Sequence, residues 1–205
     1  MLTRGKAQSG AGVCACSFLE VGQAFEGSQH VSHGVGAKDE AWNVKVRVQG
    51  CDMERGYVCG VMEALNVPTA ESKVMTFWEG EVVDNVNHNF YTSKWGADRE
   101  SDIKHWNKFP HFAKLRESVH RDGGRDADLS ELPCIFMRWK EKFFVNVGPD
   151  CGLTIAGFYY ICLVRSSGEV KGYYFDPSSS PYQKLELRAS YEDCQGKGFP
   201  TYEFH

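Results

Sequence analysis

The sequence predicts a mainly β chain: a single antiparallel β-barrel of about eight strands with a short helical insertion. Three observations carry that expectation. Short pieces alternate apolar and polar side chains, the period-two pattern of strands with one face in a core. Each piece is bounded by Gly, Pro, Asn or Ser. Strands do not alternate with regular helices, which argues against a parallel α/β sheet and favours an antiparallel barrel.

Residues 1–20, rich in Gly, Ala and Ser, read as a flexible lead, and 21–205 as the barrel domain. Residues 31–39 (VSHGVGAKD) read as a loop, and the first strand is placed at 42–48 (WNVKVRV), which alternates without a break. A strand at 56–62 follows a turn-like stretch. A third is expected at 74–83 (VMTFWEGEVV), with Gly80 as a bulge or bend. Residues 98–107 form the helical interruption, with Asp98 as N-cap and Ile103 and Trp106 on the apolar edge. Pro110 ends it, a second short helix is expected over 111–118, and 120–130 reads as a loop. Further strands are predicted at 135–145, 153–165, 170–175 and 183–187, with 165–169 (RSSGE) as a hairpin turn.

At 205 residues, with 42% hydrophobic and 24% charged, the chain is long enough for one domain with a sizeable core. A net charge of −4 without a like-charge block implies no attraction to nucleic acid. No apolar run reaches the roughly 18 residues of a membrane span. No apolar h-region opens the chain, so no signal peptide is expected. A cytoplasmic location follows, with the nucleus also open, and the eight cysteines, none in a CxxC pair, are expected to be reduced. No phosphate loop and no nucleophile elbow is present. His30 and His33 lack a matching Cys or acid cluster, and Cys14 and Cys16 lack partners, so no cofactor or metal is expected. His105, beside Trp106, suits a structural role better than that of a catalytic base.

One strand breaks the pattern informatively. In 135–145 (IFMRWKEKFFV), one face is Ile135, Met137, Trp139, Glu141, Phe143 and Val145. The other carries Phe136, Arg138, Lys140, Lys142 and Phe144. Glu141 thus stands alone on the apolar face, where a carboxylate is costly unless a cation or hydrogen-bond donor meets it. Tyrosines cluster later, at Tyr159 and Tyr160 beside Gly157, and at Tyr173 and Tyr174 beside Gly172. They read either as barrel filler with satisfied hydroxyls or as the wall of a pocket. Glu141 favours the pocket. With Tyr159 it forms an acid/base pair on paper, but no nucleophile or metal joins them, so a non-catalytic protein is expected.

The segments FMRWKEKFFV, GLTIAGFYYIC, GYYFDPSSSPYQKLEL and the terminal YEFH are similar to those of the vacuolar-import-and-degradation protein family. VMTFWEGEVV, KWGAD and KHWNKF support the likeness, which spans about residues 20–205. The resemblance implies an eight-stranded barrel that serves as substrate receptor of the glucose-induced-degradation (GID, or CTLH) ubiquitin ligase. It implies a cavity for target proteins that begin with free proline, targets then degraded by the proteasome. It assigns Glu141 to the ligand amine, with Tyr159 at the same end and Tyr174 lining the cavity. Gln29 would meet the ligand backbone, and Gly152 and Thr154 would lie beside the entering peptide. Val44, Val74, Thr76 and Phe77 would form the wall. The tail, with Phe204 and His205, would dock on an armadillo-repeat scaffold subunit; here histidine stands where arginine is usual. A lipocalin-like barrel for a small amine or apolar ligand is the alternative.

Overall fold

The computed structural model describes residues 16–32, 39–67, 70, 72–148, 151, 153–178 and 182–191. Eight strands form a closed barrel in which each pairs with the next in sequence and β8 closes on β1, every pairing antiparallel. They are β1 (Ala24–Ser32), β2 (Glu40–Asp52), β3 (Tyr57–Leu65) and β4 (Val74–Val82), then β5 (Cys134–Phe144), β6 (Phe158–Val164), β7 (Glu169–Phe175) and β8 (Tyr182–Ser190). The expected barrel is therefore present, and the seven strands placed from sequence are β2 to β8.

The strand not foreseen is β1. Its inward positions are Phe25, Gly27, Gln29 and Val31, so two of four lack an apolar side chain and the alternation is weak. The lead also ends earlier than expected. Leu19 is buried in the barrel core with Phe18 and Cys16 packed nearby, and the Gly22 N–H donates to Val48 O. This segment plugs one end of the barrel.

Inside, Val46, Val48, Val58, Met137, Ile161 and Leu187 fill the plugged half. Trp78 and Trp139 stack at 4.4 Å and are essentially inaccessible. Gly80 makes room for them and is not the bulge. It pairs regularly with Trp139, and a Cβ there would lie 2.8 Å from Trp139 Cδ1 and 2.7 Å from Val58 Cγ1. The bulge lies opposite. Phe77 pairs with Phe143 and Trp78 with Glu141, so Lys142 is an extra residue on β5. Beyond it the strand changes face: Phe143 is 54% exposed and Val145 51%, where strict alternation had put both in the core.

A second core lies outside the barrel. The outward side chains Phe136, Phe158, Tyr160 and Tyr173 pack under the insertion of residues 83–133, against Phe90, Trp106, Phe109 and Phe112. The insertion holds α1 (Arg99–Trp106), a 3₁₀ turn (Pro110–Lys114) and α2 (Arg116–Asp122). Asp98 caps α1, accepting from Ser101 N at 2.8 Å. The second helical piece begins at Pro110 as a 3₁₀ turn, and α2 extends into the stretch read as loop, ending on left-handed Gly123. Asp102 is fully buried and accepts from Thr92 N and from Tyr160 OH, both at 2.8 Å.

His105 stacks on Tyr160 with Nδ1 2.7 Å from Ser101 O, and burial lowers its pKa to about 4. Unfolding restores an ordinary value, so the unfolded chain binds more protons between about pH 6.5 and 4. Stability therefore falls as pH drops through that window. Urea unfolding at pH 7 and pH 5 should show a smaller loss in His105→Gln than in wild type; equal losses would mean that this histidine does not couple to acid unfolding.

Candidate functional site

Four connections, β1–β2, β3–β4, β5–β6 and β7–β8, leave the barrel at the end opposite the Leu19 plug. Just inside that end, polar side chains replace apolar ones. Glu141 comes from β5, one register position from the bulge that redirects the rest of the strand. Its side chain is enclosed by protein yet keeps some accessible surface, as does a group that lines a space rather than fills it. The Thr76 hydroxyl on β4 donates to its carboxylate at 2.6 Å. Among the described residues no basic side chain pairs with it. Burial raises the Glu141 pKa, opposed by the Thr76 hydrogen bond and the charge of Lys140.

The nearest cation is already engaged. Lys140 points to the other face and donates to the carbonyls of Ile155, Ala156 and Gly157. It thereby fixes the backbone that leads into β6. Gly157 N–H in turn donates to Tyr174 OH at 2.8 Å. A Cβ at Gly157 would lie 2.7 Å from Tyr174 Cζ and 2.1 Å from Phe175 O, so glycine is needed for this approach.

Tyr159 donates to Gln29 Oε1 at 3.0 Å, a bond that crosses the interior from β6 to β1, and Gln29 Nε2 donates to Gln183 Oε1 on β8. Tyr159 and Tyr174 meet edge to face at 5.0 Å. Burial raises the Tyr159 pKa well above the ordinary value, reinforced by the Glu141 charge, and pushes Tyr174 up to about 12. Both hydroxyls stay protonated at neutral pH and can donate or accept.

The structure thus gathers Glu141, Thr76, Tyr159, Tyr174 and Gln29 at one end of the interior, with Val44 and Val74 buried in the adjoining wall. Phe77 is not in that wall. Alternation along β4 turns Thr76 and Trp78 inward and Phe77 outward, where it stacks on Phe143 at 5.2 Å. Thr154 lies before β6 and is exposed, its Oγ1 accepting from Ala156 N at 3.1 Å. Gly152, Phe204 and His205 lie outside the described residues. Sequence reasoning missed Gln183 and Lys140. Gln183 was within reach, since 183, 185 and 187 share the inward period of β8. The role of Lys140 depends on a loop position that no local pattern encodes.

Comparison with known proteins gives a consistent result. The sequence profile described as "Vacuolar import and degradation protein" matches residues 18–190. Glucose-induced degradation protein 4 homolog of Mus musculus is 35% identical over 193 residues, 93% of this chain and 84% of that one. GID complex substrate-recognition subunit 10 of Saccharomyces cerevisiae is 30% identical, covering 83% of this chain and 68% of its own length. GID complex substrate-recognition subunit 4 of Schizosaccharomyces pombe is 26% identical, over 92% of this chain and 98% of its own. With a barrel that closes as expected and a profile that runs nearly its whole length, this chain belongs to the vacuolar import and degradation protein family.

Proposed function

We propose that this chain is a non-catalytic substrate-recognition subunit of a GID/CTLH-type ubiquitin ligase. Its barrel takes the free N-terminal proline of a target protein, which the ligase then marks for proteasomal degradation. The names of its relatives support the receptor role. The observation that carries the ligand class is Glu141, a carboxylate inside a barrel whose partner among the described residues is a neutral hydroxyl. A positively charged amine that enters from the loop end completes it.

Proline suits such a site. Its ammonium carries two N–H donors, and a charge-assisted hydrogen bond to Glu141 contributes about 1.5–3 kcal/mol. Its ring fixes φ, so less entropy is lost on entry. The Tyr159 and Tyr174 hydroxyls and the Gln29 amide, gathered at the same end of the interior, would then partner the ligand's first peptide groups. An acetylated N-terminus has no charge and more bulk, and leaves the acid unmatched. Calorimetry with peptides that differ only in Pro or acetyl-Pro at the first position tests the reading. Binding of the free form alone is expected. Equal binding of both would overturn it, and binding of small amines without either peptide would favour a lipocalin-like carrier.

The proton balance gives a second test. A bound ammonium stabilises the carboxylate form, so peptide binding releases protons on the acid side of neutrality. Affinity falls as pH drops through the raised Glu141 pKa, and falls again as the ligand amine, with a pKa of about 8, loses its proton. Thr76→Val deletes a donor that favours the carboxylate and should move the acid limb upward. Calorimetry in two buffers of different ionisation enthalpy reads the proton count; uptake in place of release would contradict the assignment.

The remaining machinery is proposed on the same basis. The tail with Phe204 and His205 docks on an armadillo-repeat scaffold subunit in the cytoplasm or nucleus. Co-purification of that subunit with the full chain, and its loss on deleting the last four residues, is the expected result.

A further inference from the structure

The bulge at Lys142 creates a surface the peptide-receptor reading does not use. Beyond it, Phe143 and Val145 face outward, and they continue an apolar cross-strand patch with Phe77, Met75, Val61 and Leu65. Phe77 and Phe143 stack, and Val145 N–H bonds to Met75 O, so the patch is ordered by the ladder beneath it. Asn146 extends the ladder, accepting from Met75 N at 2.8 Å and donating to Lys73 O at 2.7 Å. An open hollow of about 440 Å³ adjoins the patch and includes Val61, Leu65 and Met75 in its lining. The charges of the patch are neutralised in pairs: Lys73 with Glu63, which stands between Val61 and Leu65 and opposite Met75, and at the edges Lys45 with Glu26 and Lys142 with Glu79. An exposed apolar surface whose charges are balanced in pairs is characteristic of an interaction site.

Its position on the barrel narrows the occupant. Near the loop end, the described outward side chains of β1, β2 and β8 are mostly polar, among them Ser28, His30, Asn43 and Lys184. Those of β6 and β7 lie largely under the insertion. The sector of β3, β4 and β5 is the uncovered apolar one among the described residues. It also shares its strand with Glu141, two residues from Phe143 but on the opposite face. Glu141 stands three residues inside the end of β5, but Lys142 is the bulged extra, so the ladder rises only the two steps from Trp78 to Thr76 on β4, about 7 Å at ~3.3 Å per residue. A target chain held at Glu141 therefore clears the last ladder pair after two or three residues and can turn over the rim by the fourth or fifth.

We infer that the patch around Phe77 and Phe143 is a second subsite for the same target polypeptide, holding an apolar side chain of the segment that follows the first four residues. This deepens the proposed receptor reading and rests on it. The inner site reads the charged end of the target, and the outer one rewards an apolar residue a fixed distance downstream. Targets would then be distinguished by hydrophobicity just past their N-terminus as well as by the terminal residue.

The test uses a tetrapeptide beginning with free proline and two ten-residue extensions of it. One extension carries leucine at positions five to nine and the other serine. The readout is the ratio of extension to tetrapeptide affinity within each protein, so an indirect effect on the inner site cancels. In wild type the leucine extension should bind about tenfold tighter than the tetrapeptide and the serine extension no tighter. In Phe143→Ser, and independently in Val61→Ser, the leucine gain should largely vanish. A gain that is absent in wild type, or that survives in both variants, overturns the inference while leaving the receptor reading intact. If none of the three peptides binds wild type, the receptor reading itself fails.

Discussion

Glu141→Ala is expected to lower the affinity for a peptide with a free N-terminal proline by roughly 30-fold to several thousand-fold, with the barrel still folded. Removing one partner of a buried charge pair costs about 2–5 kcal/mol, because the other charge is left desolvated and unmatched. Here the unmatched group would be the ligand's ammonium, within an interior whose nearest cation, Lys140, is held by three carbonyls. Near-equal calorimetric affinity for variant and wild type would sink the assignment. The same acid should weaken the empty barrel. Its folded pKa is raised, so the native state holds the proton more tightly than the unfolded chain, and stability declines as pH rises through that window. Glu141→Gln should accordingly melt a few degrees higher at neutral pH while failing to bind. That opposition between stability and binding would mark the residue as functional rather than structural.

The second large effect is one of stability. Arg138, on the outer face of β5, is 2% exposed. It donates from Nε and Nη2 to Glu81 Oε2 at 3.1 and 3.0 Å, and from Nη1 to Asn89 O at 2.9 Å. It thus joins the barrel wall to the segment that enters the insertion. Burial alone would raise the Glu81 pKa; Arg138, Lys94 and His88 outweigh it and hold the carboxyl low. Arg138→Ala takes from Glu81 its most buried partner, leaving it Lys94, and strips the donor from the Asn89 carbonyl. It should cost about 3 kcal/mol in urea unfolding, the low end for a broken buried pair. At roughly 2–4 °C per kcal/mol for a chain of this size, the melting point falls by about 10 °C. The double variant Arg138→Met with Glu81→Met should recover part of the loss, because neither half of the buried pair then stands without the other, although Lys94 gives up its Glu81 partner. A single-variant loss below about 1 kcal/mol would show the pair to be inert. Peptide affinity of the folded fraction should hold, since Glu141 faces the other side of the strand.

Much of this architecture is written in local pattern. The strands β2 to β8 are legible because one face of each alternates apolar residues, and α1 because Asp98 and Pro110 bracket it. Glu141 was legible as an anomaly for the same reason. What failed to show depends on partners distant in sequence. In β1, Gln29 occupies an inward position because Tyr159, 130 residues away, supplies its donor. The outward turn of Phe143 comes from a register shift against β4, which the sequence of β5 alone does not contain. The second core does leave a trace in the sequence: Phe136, Phe158 and Tyr160 are apolar on the face opposite the barrel core, as expected of a strand buried on both sides.

The plug at Leu19 has a consequence for what the receptor can see. A barrel closed by β1 on β8 has no free strand edge to which an extended segment could add. With one end stoppered, it is a blind tube, and a polypeptide can reach its interior only by threading in tip first. On the proposed reading of the inner site, internal prolines, however numerous, would stay invisible, and a protein would become a target only when cleavage or trimming gave it a suitable new beginning. The receptor would then report the processing history of a protein rather than its identity, and the enzyme that makes the cut would set the timing.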